Sequence, residues 1–123
     1  VILVDTSVWI DHLRVSNSKL VQWLGEGAVL THPFVIGELA LGNLRNRAVI
    51  LDALRQLPRA VAASNDEVLT FIEAQRLYGL GVGHVDVHLL ASVRLSGGVR
   101  LWTRDRRLAT VAEGLGVAVE PFA

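Results

Sequence analysis

Residues 1–10 read VILVDTSVWI, and the reading of this stretch decides the fold. Val1 to Val4 are apolar without alternation. That is the pattern of a strand covered on both faces, the habit of parallel sheets rather than of half-solvated antiparallel ones. Asp5 stands where the strand should end, and Thr6 and Ser7 are placed to cap a helix from about Val8 to Leu13. A carboxylate at the mouth of a buried strand is costly to dehydrate, so some other group must compensate it.

The same alternation continues outward from this start. Ser16 to Ser18 open a second helix that runs to Leu24 and closes at Gly25 and Gly27. A short strand, Ala28 to Thr31, leads to Pro33, which suits the first turn of a helix carrying Glu38. A helix over Ala48 to Leu57 stops at Pro58, and Ala60 to Ala63 is a candidate strand. Ser64-Asn65-Asp66-Glu67 is a capping box for a helix reaching Leu77. Gly79, Gly81 and Gly83 form a turn before a helix from Asp86 to Leu95, and Gly97-Gly98 lead into a strand from Val99 to Trp102. Leu108, Val111, Ala112 and Leu115 recur at helical spacing, and Gly116 precedes a final strand, Val117 to Val119. Strands alternating with helices predict an α/β sandwich around a parallel sheet of about five strands. In such sheets, sites collect beyond the carboxyl ends of the strands, where Asp5 and Asp105 both fall.

The composition fits one packed domain. The chain has 123 residues, 51% of them hydrophobic, with twelve basic residues balanced by twelve acidic ones. Balance excludes a polycation that coats nucleic acid through bulk charge. It leaves room for a local basic face: Arg94, Arg100, Arg104, Arg106 and Arg107 crowd together and suit bidentate contact with phosphate. The alternative for these residues is a solvated helix face. There is no cysteine, so disulfides and thiolate chemistry are excluded, which fits the cytoplasm. The apolar runs are too short to cross a bilayer, no signal-peptide pattern is present, and the sequence begins at Val rather than Met.

Three acids stand in apolar surroundings: Asp5 after VILV, Glu38 within PFVIGELALG, and Asp86 within GVGHVDVHLL. Asp105, in LWTRDRRLA, follows a strand as Asp5 does but has arginine neighbours. Each has an ordinary structural reading, as a helix cap, a first-turn acid or a partner of a buried arginine. Together they form an all-oxygen donor set without cysteine, which suits Mg²⁺ or Mn²⁺ rather than zinc. A pair of such ions can promote cleavage of a phosphodiester by water. His84 and His88 have i, i+4 spacing, but there is no HExxH and no third ligand nearby. A lining role is expected for His88, and surface or helix-end positions for His12 and His32.

VDTSVWID around Asp5, IGELALG around Glu38, VDVHLLAS around Asp86, and LWTRDRRLA with Thr103 and Asp105 resemble, in order and spacing, the PIN domain. Within it they resemble the VapC-type toxins of bacterial toxin–antitoxin pairs. The resemblance covers residues 1–123 as a single domain. It implies a Mg²⁺-dependent endoribonuclease, with Mn²⁺ as a substitute, that cuts structured RNA such as tRNA. It also implies frequent homodimerisation and inhibition by a small cognate antitoxin of VapB type. Carried over, Asp5, Glu38, Asp86 and Asp105 are the catalytic, metal-holding acids, and Thr6, Ser7 and Thr103 are hydroxyls that orient them. Arg94, Arg104 and Arg106 are candidates for RNA phosphate contact. The chain departs from the family at Leu108, where many relatives have a further acid, and at His88, where a small or apolar residue is commoner. Two other readings remain: a PIN-like module that binds RNA or a partner without cutting, and a DNA-cutting nuclease of the same fold. A phosphorelay receiver would need a lysine at a late strand end, but the only lysine is Lys19. A haloacid-dehalogenase-type phosphatase would need an Asp where Ser7 stands.

Overall fold

Ile2, Leu3 and Val4 lie between two neighbours that run in their own direction. Strand β1 (Ile2–Val4) pairs in parallel with β2 (Val29–Leu30) through Ile2–Val29 and Leu3–Leu30. On its other side it pairs with β3 (Arg100–Trp102) through Ile2–Arg100, Leu3–Leu101 and Val4–Trp102. The order β2-β1-β3 makes β1 central, and all three of its residues are buried. This is what an unbroken apolar run requires. The structure, a computed structural model, describes residues 1–119.

Helices α1 (Thr6–Arg14) and α2 (Ser18–Gly25) connect β1 to β2. Four more, α3 (Pro33–Leu41), α4 (Arg47–Gln56), α5 (Asn65–Gln75) and α6 (His84–Ser96), connect β2 to β3, and α7 (Arg106–Gly114) follows β3. Helix α6 is buried from Val87 to Val93 without interruption, so for nearly two turns it has no solvent face. The capping box forms as expected at α5: Glu67 N–H donates to Ser64 Oγ (3.1 Å), and Ser64 N–H donates to Glu67 Oε1 (2.9 Å). No helix among the described residues is long and apolar enough to cross a membrane.

Among the described residues the sheet has three strands rather than about five. Beside them stand two single parallel bridges: Thr31–Arg59, one residue before the segment expected at Ala60–Ala63, and Leu101–Ala118, within the one expected at Val117–Val119. On the β2 side, Thr31 N–H donates to Pro58 O (2.8 Å) and Ala60 N–H to Thr31 O (2.9 Å). Pro58 has no N–H to extend that ladder, and beyond Ala60 the chain moves out to exposed Val61. On the β3 side, Leu101 N–H donates to Val117 O (2.7 Å) and Val119 N–H to Leu101 O (3.1 Å). The Gly116 and Ala118 carbonyls accept from the Arg100 guanidinium.

Leu108 is fully buried in the main core together with Leu3, Leu20, Leu89 and Leu101. The side chain three residues after Asp105 therefore packs inward. Leu108→Ala should cost about 2–5 kcal/mol of stability, the usual range for a buried leucine. Leu69→Ala, at a position 59% exposed, should fall within about 0.5 kcal/mol of wild type. Urea denaturation with an unchanged slope checks both.

Candidate active site

Asp5 lies at the carboxyl end of the central strand, where its N–H donates to Trp102 O (2.9 Å) and carries the β1–β3 pairing one residue further. It occupies the N-cap position of α1, yet its side chain makes no capping bond. The carboxylate is 6% exposed. Its Oδ2 accepts from Ser7 Oγ (2.7 Å) and from Thr103 Oγ1 (2.8 Å). The same hydroxyl oxygens accept in turn: Ser7 Oγ from Arg104 N–H (3.0 Å) and Thr103 Oγ1 from Asp105 N–H (3.0 Å). Each hydroxyl has one proton and gives it to Asp5, so the 3.4 Å separation of the two oxygens is a contact rather than a further bond. Hydroxyls compensate the buried carboxylate, and among the described residues no cationic side chain pairs with it. Thr6 and Ser7 do not cap α1 as the sequence suggested, because their hydroxyls are committed to carboxylates.

Thr6 Oγ1 donates to Glu38 Oε1 (2.8 Å), tying α1 to α3. Glu38 is exposed, contrary to its apolar setting in sequence. Val35, Ile36 and Leu39 form the buried face of α3, and Glu38 points to the other side. Asp86 is half-buried in the first turn of α6, where its Oδ2 accepts from Gly83 N–H (3.4 Å). Its pKa is raised, chiefly by burial, with the negative charges of Asp5, Asp105 and Glu38 adding to the effect and the Gly83 amide opposing it. Thus the other three acids all act on Asp86. Asp105 is exposed and caps α7, its Oδ1 accepting from Arg107 N–H (2.9 Å) and Leu108 N–H (3.1 Å).

The four acids lie close enough that Asp5, Glu38 and Asp105 all act on Asp86. Even so, among the described residues no three Asp, Glu or His side chains stand close enough to hold a metal ion as they are arranged. Each carboxylate is bonded to a hydroxyl or a backbone N–H. The donor chemistry, oxygen throughout and negatively charged, fits a hard dication.

The arginines divide between the two ends of the sheet. Arg104, Arg106 and Arg107 lie at the acid end, in the β3–α7 loop and the first turn of α7. Arg104 Nε is 2.8 Å from Asp11 Oδ2, a pair whose side chains are both about half-exposed. Arg94 lies eight residues along α6 from Asp86, about 12 Å by helix rise, and donates to Leu115 O (3.3 Å). Arg100 opens β3 at the far edge. The five do not form one surface.

Sequence reasoning missed a second group beside the acids. His32 is 2% exposed, a helix-end residue as expected but not a surface one. It caps α3, its Nδ1 accepting from Phe34 N–H (3.0 Å), and its pKa is lowered to about 4 by burial, by His88 and by Arg59. The residue before an N1 proline is the N-cap, so THPF could have revealed this role. His88 is buried and its pKa lowered, first by burial and then by His84.

Comparison with known proteins places this arrangement among relatives. The PIN domain family profile matches residues 2–114. Two relatives named Ribonuclease VapC32, from Mycobacterium tuberculosis strains CDC 1551 / Oshkosh and ATCC 25618 / H37Rv, are each 51% identical over 118 residues. That span is 96% of this chain and 95% of theirs.

Two titrations follow from the geometry. The folded His32 pKa lies below the ordinary 6.5. Between pH 6.5 and 4 the unfolded chain therefore takes up a proton that the folded one refuses, and stability is lost as pH falls through that window. His32→Asn, which keeps a capping side chain, should flatten the pH dependence of urea denaturation there. Asp86 has the opposite sign. Its raised pKa means that the ionised carboxylate opposes folding once pH has risen from 3.8 through the folded value, so Asp86→Asn should melt higher than wild type at pH 7.

Proposed function

The chain belongs to the PIN-domain family, and we propose that it is a divalent-metal-dependent endoribonuclease acting as the toxin of a toxin–antitoxin pair. The observation that carries this reading is the common field of the four acids, in which Asp5, Glu38 and Asp105 all oppose ionisation of Asp86. Such an arrangement disfavours the ionised form of Asp86, and a cation among the acids would offset that. The two ribonuclease-named relatives support RNA as the polymer.

In this reading Asp5, Glu38, Asp86 and Asp105 hold Mg²⁺, with Mn²⁺ as a substitute. The bound cation supplies Lewis acidity, making water more acidic and neutralising charge on the phosphate. Ser7 and Thr103 take up Oδ2 of Asp5, so Oδ1 would be the oxygen that holds the cation. Thr6 steadies Glu38. Arg104 and Arg106 meet phosphates beside the cut, whereas Arg94 reaches only RNA that extends along α6. A site centred on a buried Asp5 favours a loop or unpaired strand, as in a structured RNA such as tRNA. The partners are a VapB-like antitoxin, which silences the site by placing a cationic side chain among the acids, and a second copy of the chain. The compartment is the cytoplasm.

Asp5→Asn should fold and lose most RNA cleavage at every Mg²⁺ concentration. Asp105 retains a capping role in addition to binding metal, so Asp105→Asn should raise the Mg²⁺ needed for half-maximal rate more than it lowers the rate at saturating metal. Undiminished cleavage in excess chelator overturns metal dependence, and an unshifted midpoint reduces Asp105 to a cap. The double variant Arg104→Ala, Arg106→Ala should bind RNA more weakly, with its salt dependence reduced by about one unit per arginine.

A further inference from the structure

The acid chemistry makes no use of the rings that stand beside it. Phe34 lies in the first turn of α3, one turn before Glu38, and His84 opens α6 two residues before Asp86. The rings are joined edge to face: Phe34 to His88 at 4.8 Å and 64°, His84 to His88 at 4.7 Å and 86°, and Phe34 to His32 at 5.2 Å and 68° between centroids. His32 and His88 are both buried and brace Phe34 from the protein side, while 38% of Phe34 remains open to solvent. His84 is exposed. A rigidly braced, half-open benzene ring does nothing to hold a cation, and leaving it in water has a hydrophobic cost.

Topology supplies the second half of the argument. Asp5 ends the central strand, Phe34 follows β2 on one side, and Arg104 and Arg106 follow β3 on the other. The acids therefore lie between an aromatic flank and a basic one. A nucleic-acid strand has two chemistries to match these flanks, the π-face of an unstacked base and the phosphate charge. Stacking is also the attraction least weakened by a site whose own carboxylates repel the backbone.

We propose that Phe34, together with His84, forms a stacking subsite for an unpaired nucleobase adjoining the phosphodiester that is cut. This rests on the RNA-cleaving reading above and adds a specificity element to it. The test uses the non-cleaving Asp5→Asn protein in Mg²⁺ and short single-stranded RNAs carrying the fluorescent base 2-aminopurine, moved one position at a time. One position should be strongly quenched on binding. Adding Phe34→Leu should abolish that quench and weaken binding about tenfold, while Phe34→Trp should retain both. In the cleaving protein, Phe34→Leu should raise KM more than it lowers kcat. Bound RNA with no quenched position, or a Trp variant as defective as the Leu one, overturns the subsite and leaves RNA cleavage standing. A wild-type protein that neither binds nor cuts RNA overturns both.

Discussion

A buried carboxylate held by two hydroxyls is the interaction on which the rest of this molecule depends. Thr103 lies 98 residues after Asp5 in sequence, and Ser7 lies two after it. No local structure brings Thr103 to Asp5. Only the parallel pairing of β1 with β3 sets the two strand ends side by side, so the bond exists when the sheet does. The hydroxyls then pass the constraint onward, because each accepts an N–H of the β3–α7 loop and so fixes the backbone that starts α7. The position of Asp105 follows from the same bonds that make Asp5 tolerable in the core.

The cost of the arrangement falls on Asp86. Its carboxylate enters a site that already carries three negative charges, at the start of a helix whose next seven residues are all buried. The cost is chiefly one of burial, and the nearby acids add to it. A cost of this kind at a site is a familiar exchange of stability for function.

Much of this was readable from residue order. The buried strand within VILV (Ile2 to Val4, with Val1 left exposed), the capping box at Ser64 and the inward position of Leu108 each follow from a local pattern, and all three are found. Asp5 and Asp105 follow the carboxyl ends of β1 and β3, as strand direction alone assigns. What could not be read depends on contacts between distant elements. Thr6 and Ser7 have the residue types of helix caps, and only the tertiary fold shows that Glu38 and Asp5 compete more strongly for their protons. Glu38 sits in an apolar string, yet its helix presents one face to the core and Glu38 to the other. The arginines are neighbours in sequence, but α6 runs antiparallel to β3, so Arg94 and Arg100 meet at the wrong end. On the β2 side the outer strand is cut short because Pro58 has no N–H to extend the ladder; on the β3 side only the Leu101–Ala118 bridge lies within the described residues. Phe34, His84 and His88 had no visible connection because α4 and α5 lie between them in sequence.

Compensation by hydroxyls rather than by a cation has a consequence for the whole site. A guanidinium on Asp5 would stabilise the carboxylate but offset its charge, and the contribution of Asp5 to the field felt by Asp86 would be lost. Ser7 and Thr103 lower the cost of burial while leaving the charge intact. The same logic explains where Arg104 goes. Its backbone N–H touches Ser7, so its side chain starts close to the acids, yet its Nε lies against Asp11 on α1 instead. With both side chains about half in water, such a pair is weak. It is strong enough to direct a flexible side chain and weak enough to be exchanged for a phosphate. Asp11 thereby keeps a cation near the carboxylates without letting it neutralise them, which preserves both the negative centre and the positive flank of one small site.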